Sequence, residues 1–275
     1  MSVKNASAPH IHSGASTRRV MLDVILALVP AAVAAVIIFG VKAAIVIASC
    51  VIAAVASEAI FNIITKKEQT VGDLSAAVTG LLLGLNLSTN VPVWQCVIGS
   101  MFAIIVVKCF FGGLGHNFAN PAITGRVFML IAFAAVAGGA LPDAVTGATP
   151  LEVLKTSSVE GLPSISQMLI GMRGGAVGEG CIAALVLGYA YLVLRKVIKW
   201  YIPVIFIGTV FVCFLIASGD IVFSLYEILA GGLFLGAIFM ATDYVTTPIT
   251  SVGRMVFAFC CGLLTFIIRQ FCAYP

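Results

Sequence analysis

The chain is organised as a succession of apolar runs separated by short polar stretches. They fall at 20–40, 41–64, 74–88, 93–111, 121–140, 174–194, 201–217, 221–241 and 252–271. Most are about 20 residues long, the length a helix needs to cross a hydrocarbon layer ~30 Å thick. Only 9% of the 275 residues are charged, against about 25% in soluble chains. So little charge cannot cover a globular surface. That excludes a soluble enzyme, a nucleic-acid binder, a disulfide scaffold and a disordered chain. A β-barrel would alternate polar and apolar residues instead of showing solid runs. Lipid offers no partner to open backbone groups, so the runs are expected to be helices. The fold class is an all-α integral membrane protein embedded in a lipid bilayer, with about nine to ten transmembrane helices.

The charges orient the bundle. With the N-terminus inside, Lys4, Arg18, Arg19, Lys66, Lys67, Lys108, Arg126, Arg195, Lys196, Lys199 and Arg254 fall on the inner side. The outer side receives Lys42, Lys155, Arg173 and Arg269. The positive-inside rule therefore makes 1–19 a cytoplasmic tail. That tail has no apolar segment, so no cleaved signal peptide is expected. The long polar segment 141–173 then lies outside. The net charge of +4 reports this asymmetry and not nucleic-acid affinity. The eight cysteines mostly sit in apolar runs without a C-x-x-C pair. They are read as small packed thiols and not as metal ligands or disulfides.

Two runs share a pattern. Gly80-Leu-Leu-Leu-Gly84 leads to Ser88, Thr89, Asn90 and Pro92; Gly232-Leu-Phe-Leu-Gly236 leads to Thr242, Asp243, Thr246, Thr247 and Pro248. An odd number of spans separates them, so the copies run in opposite directions, as in an inverted repeat with broken helices. Short Leu/Gly matches also arise by chance. Gly-x-x-x-Gly also permits close helix contact.

The outside segment carries Asp143-Ala-Val-Thr146-Gly147-Ala148-Thr149-Pro150-Leu151-Glu152. Thr149, Pro150 and Glu152 fit a helix start, with Thr as N-cap, Pro first and Glu closing a capping box. Thr149 is then a plain cap. Alternatively, the free N–H groups of a helix start suit a phosphate, and Gly147 and Ala148 leave the Thr149 hydroxyl open to a modifying enzyme.

Asp143-x-x-Thr146-Gly147-Ala148-Thr149 resembles the flavinylation motif of the RnfD/NqrB family. By that resemblance Thr149 carries FMN through a phosphoester, attached by a flavin transferase outside the membrane. Asp143, Thr146, Gly147 and Ala148 match the recognition positions. The resemblance spans nearly the whole chain: Gly112-Gly-Leu-Gly115-His-Asn117-Phe-Ala-Asn120-Pro121-Ala122 is similar to the family's first polar break, and Phe239-Met-Ala-Thr242-Asp243-Tyr-Val-Thr246-Thr-Pro248 to its second. The length fits the RnfD branch better than NqrB. The family's five-plus-five inverted repeat implies a first repeat at about 20–140, a flavin-bearing loop at 141–173 and a second repeat at about 174–275. Nine spans are counted where the family has ten.

Asn117, Asn120, Arg126, Thr242 and Thr246 are candidates to line a cofactor cavity; Asp243 is a candidate ion or proton contact, as intramembrane acids are. Each has a simpler reading: helix capping for the asparagines, snorkelling for Arg126, a turn for Asp243. Asp23, Glu58, Glu179 and Glu227 lie near span ends and read as interface residues, and His116 as a loop histidine. The resemblance implies an electron-transfer subunit of an Rnf-type complex in the bacterial cytoplasmic membrane. That complex couples ferredoxin:NAD oxidoreduction to Na+ or H+ movement with other subunits. A second, non-covalent riboflavin is implied by analogy. The rivals are a urea-channel-like channel or secondary transporter without a redox cofactor, a structural subunit, and an NqrB-type subunit of a Na+-pumping quinone reductase.

Overall fold

A computed structural model describes residues 16–133, 150–155, 162–171 and 174–272. The protein is an all-α membrane protein: regular structure among the described residues is helical, and the lipid-facing surface explains the exposure of Ile37, Ile64, Ile131, Leu194, Ile216 and Phe271. Helix α1 (Thr17–Phe39) starts where the Ser16 hydroxyl accepts a hydrogen bond from the Arg19 N–H. It passes through Pro30 and ends at Gly40, whose φ of 72° turns the chain straight into α2 (Val41–Ile64). Then come α3 (Ser75–Asn86), α4 (Val93–Met101), α5 (Pro121–Ala132) and two short outer helices, α6 (Pro150–Leu154) and α7 (Ile165–Ile170). Helices α8 (Ile182–Leu194), α9 (Tyr201–Ser218), α10 (Ile221–Leu229), α11 (Leu233–Leu235) and α12 (Ser251–Phe271) complete the order.

Each of the nine apolar runs contains a helix, but they are unequal. Among the described residues four helices, α1, α2, α9 and α12, are long and apolar enough to cross a membrane, and α10 with the segment Leu233–Met240 makes a fifth if that pair, bent by 65°, is one span. The helices of the other four runs hold 10–17 residues. The run 174–194 is not one continuous helix. Residues 174–181 hold only a short 3-10 turn, Val177–Glu179, and α-helix begins at Ile182. Irregular backbone at membrane depth survives only with protein partners. One is visible here: the Val177 N–H donates to the Leu87 carbonyl at 2.9 Å, joining this segment to the end of α3.

Two helices change pitch at corresponding places. Helix α4 continues as a π-helical segment, Phe102–Cys109, and α11 as another, Gly236–Met240. Each leads directly into one of the polar breaks. π-turns of this kind are frequent at functional sites.

The two Gly-x-x-x-Gly pairs differ in role. Gly80 and Gly84 press α3 against α2: a Cβ on Gly80 would stand 2.7 Å from the Cys50 carbonyl oxygen and 2.8 Å from Val51 Cα. Gly232 faces the Glu179 carboxylate, and Gly236 has open space. Because backbone atoms oppose Gly80, α2 itself must shift to admit a methyl group. Gly80→Ala is expected to lower stability by about 1–3 kcal/mol, read as a lower thermal midpoint in detergent. Gly236→Ala should leave it unchanged. Equal midpoints for the two variants would contradict this packing.

The cysteines are free. Cys50, Cys96 and Cys109 are buried, Cys181, Cys213 and Cys261 are half-buried, and Cys260 and Cys272 are exposed.

Candidate functional site

The two polar breaks meet at one end of the bundle. In the first, Gly112, Gly113 and Gly115 take φ values of 117°, 95° and 91°, which side chains rarely allow. The chain thereby reverses in a few residues after the π segment. Asn120 then caps α5, its Oδ1 accepting from the Ala122 and Ile123 N–H groups at 3.0 and 3.3 Å, with Pro121 in the first turn. Asn117 Nδ2 donates to the Ala119 carbonyl at 2.9 Å. His116 is exposed.

In the second break the Asp243 carboxylate accepts from the Val245 N–H at 3.4 Å and the Thr246 hydroxyl at 3.3 Å. The Thr242 hydroxyl donates to the Ile238 carbonyl at 2.6 Å, and Tyr244 donates to the Val197 carbonyl. Burial pushes the Asp243 carboxyl up, and these two hydrogen bonds only partly oppose it. The capping and turn readings of Asn120 and Asp243 therefore hold, and both residues also face a cavity.

That cavity is a narrow cleft with a volume of about 100 Å³. Its mouth carries Asn117, Asn120, Thr242 and Asp243, and its walls include Val24, Leu82, Leu192 and Phe239. Val20 and Met21 from the first turn of α1 and Ser75 from the first turn of α3 also line it, so it opens at the N-terminal side of the bundle. Apolar walls with a few convergent polar groups are the usual make-up of small-molecule sites.

Two expected cavity residues are absent from its lining. Arg126 sits one turn beyond Ala122, about 5 Å deeper along α5, within electrostatic reach of Glu179. Thr246 is turned to Asp243 and steadies that carboxylate from outside the cleft.

The interface reading of Asp23, Glu58 and Glu227 is corrected: all three are buried. Asp23 accepts from Tyr191 at 2.9 Å and Arg195 at 3.3 Å. Glu227 pairs with Arg269 at 3.5 Å, and that guanidinium also holds the Ala230 carbonyl at 3.0 Å, where the bent span breaks. Glu58 pairs with Lys108 at 2.8 Å, both side chains 2% exposed. Lys108 also donates to Ser75, and Thr70 donates to Glu58 Oε1 at 2.8 Å. Glu58 Oε2 is buried without a partner. Lys108 reaches the cleft wall from the π segment. The positive-inside rule treats this lysine only as an inner charge; the signal of its pairing is a lysine and a glutamate each set in an apolar run.

The profile of the NQR2, RnfD, RnfE family matches residues 4–275. The chain belongs to this family. It is 43% identical over 98% of its length, and 86% of the relative's, to the D subunit of the Na+-translocating ferredoxin:NAD+ oxidoreductase complex of Acetobacterium woodii. It is 40% identical, over 98% and 87%, to the D subunit of the proton-translocating ferredoxin:NAD+ oxidoreductase complex of Clostridium ljungdahlii. It is 35% identical, over 98% and 90%, to the D subunit of the ion-translocating oxidoreductase complex of Cronobacter sakazakii.

For this NQR2, RnfD, RnfE family member the motif residues Asp143, Thr146, Gly147, Ala148 and Thr149 lie outside the described residues. The chain resumes at Pro150, which opens α6 as the Thr-Pro pair predicts. Leu151 and Leu154 are buried in a cluster with Met168, Ile182, Tyr226 and Leu229. Lys155 Nζ donates to the Cys272 carbonyl at 2.6 Å, just past the end of α12. Residue 150 is thus anchored at the end of the bundle opposite the cleft.

Proposed function

We propose that this chain is the electron-carrying membrane subunit of an Rnf-type complex coupling ferredoxin:NAD oxidoreduction to Na+ or H+ translocation, with FMN esterified to Thr149. The observation that carries this reading is near-full-length identity to proteins named as the D subunits of such complexes, joined to the motif ending in Thr149. A flavin transferase would make the ester, other subunits would exchange electrons with it, and the N-terminus would be cytoplasmic with the loop outside.

The residues present suit the cofactors. Thr149 supplies the hydroxyl for a phosphoester, and α6 immediately after it is pinned to the bundle by Leu151 and Leu154. The opposite cleft offers amides and hydroxyls at its mouth and apolar walls within, a lining whose chemistry suits an uncharged aromatic ring such as that of riboflavin. When bound, the flavins supply the redox chemistry; the protein supplies position and local electrostatics. Asn117, Asn120 and Thr242 would orient a ring bound there, and Phe239 and Leu82 would keep water from it. Asp243 holds a proton on its carboxyl more readily than a solvated acid does, because it is buried. The intact mass of the Thr149 peptide tests the reading: an FMN adduct is expected, and an unmodified peptide from the mature native complex rejects it.

The two relatives at 43% and 40% identity are named for different ions. Asp243 is our candidate for the contact. Asp243→Asn is expected to abolish coupled ion transport by the reconstituted complex. The fold should survive, because the amide oxygen still accepts from the Val245 N–H and the amide NH2 can donate to the Thr246 hydroxyl. The folded carboxyl's pKa is raised, so its stabilising contribution is full below the unfolded pKa and lost as pH rises through the folded one. At neutral pH the asparagine variant should therefore melt no lower than wild type. Intact transport in this variant removes Asp243 from the ion path.

A further inference from the structure

A second concavity, enclosing about 540 Å³, opens beside the cleft between the α8–α9 loop and the start of α12. Three cations line it: Lys196, Lys199 and Arg254. The hydroxyl-bearing Thr242, Tyr244 and Thr247 join them, and no acidic residue is part of the lining. The neighbouring charges are already committed. Arg195 is paired with Asp23. Asp243 lines the adjoining cleft and is taken up by Val245 and Thr246. Arg254 is fixed through Nε alone, donating to the Pro248 carbonyl at 2.9 Å. Its two terminal nitrogens have no partner among the described residues. Lys196 is held at φ 57°, a left-handed conformation unusual for a side chain of its size. That conformation closes α8, the Val197 N–H donating to the Leu192 carbonyl at 2.9 Å, and so fixes where Lys196 stands. Helices α9 and α12 both begin here, adding the positive ends of their dipoles.

Three uncompensated cations in one concavity make an anion site. The surroundings say where the anion comes from. Trp200 is exposed beside Lys199, and Val204, Ile249 and Val252 expose apolar side chains just beyond the pocket. Trp marks the membrane–water boundary, and the aliphatic side chains offer a surface for acyl chains. Basic pockets between transmembrane helices on the cytoplasmic side suit phospholipid head groups.

We propose that Lys196, Lys199 and Arg254 bind the phosphate of an anionic phospholipid from the leaflet on the N-terminal side. Val197, Ile198, Thr242 and Tyr244 line both this pocket and the cleft. A head group bound here braces the wall that the two cavities share.

The test is native mass spectrometry of the full chain in detergent, titrated with phosphatidylglycerol, phosphatidylcholine or inorganic phosphate. Lys196→Gln/Lys199→Gln changes two exposed side chains, and a triple variant adds Arg254→Gln. Phosphatidylglycerol is expected to bind wild type selectively. Its affinity should fall roughly 10-fold or more in the double variant and roughly 100-fold in the triple variant, with phosphatidylcholine unaffected. Equal phosphatidylglycerol affinity for wild type and the double variant overturns the proposal, whatever the triple variant does. Inorganic phosphate that binds alone as tightly as the lipid overturns the lipid as the source of the anion.

Discussion

Thr149→Val is expected to remove all flavin that survives denaturation of this chain. Wild type made together with a flavin transferase should fluoresce as a denatured gel band, and the variant should be dark. The effect is all-or-none because valine keeps the shape and branching of threonine but has no oxygen to esterify. A residue that merely caps α6 predicts a different result: no fluorescence in either protein, and a stability loss of about 1 kcal/mol in the variant. Electron transfer by the assembled complex should fall with the fluorescence. A variant that retains full electron transfer would show that the chain serves as scaffold only. A transporter without redox cofactor predicts a dark wild type.

The second large effect concerns stability. Lys108→Ala should lower the stability of the purified chain by about 3–5 kcal/mol, because it leaves Glu58 ionised and buried beside an empty space. Thr70 remains as a donor to Glu58 Oε1, but Oε2 already lacks one. Lys108→Met combined with Glu58→Gln should recover most of that loss, since an uncharged pair of similar volume carries no desolvation penalty. Thermal midpoints in detergent decide it. If the double variant melts as low as the single one, the charge pair is not what holds α2, α3 and α4 together at this end.

The membrane class and the positions of the helices are legible in the sequence because lipid imposes one rule on every run: apolar outside, backbone closed within. The limits of that rule show at 174–181, where the composition still reads as a span. The backbone there leaves the helix because Leu87 of a distant loop offers its carbonyl to Val177. The charged pairs are illegible for a related reason. Arg195 lies 172 residues from Asp23, Lys108 lies 50 from Glu58, and Arg269 lies 42 from Glu227. No local spacing joins them. The cue is the scarcity of charge itself, since a lone ion in an apolar run needs an opposite one somewhere. Of the expected cavity residues, Asn117, Asn120 and Thr242 converge, with the expected ion contact Asp243 beside them, because both breaks end at the same side. Arg126 falls outside the lining because its depth along α5 depends on where Pro121 starts that helix.

The widened turns before each break set a precise reading frame for the cleft. Each residue of a regular helix advances the next by about 100°. Deleting a single residue ahead of Lys108 in Phe102–Cys109, at unchanged pitch, would hand the place of Lys108 to Cys109 and leave Glu58 opposite a thiol. Phe239 is fixed by the same arithmetic in Gly236–Met240. Both segments therefore tolerate exchange of side chains far better than any change in their count, and length should vary in the loops long before it varies here.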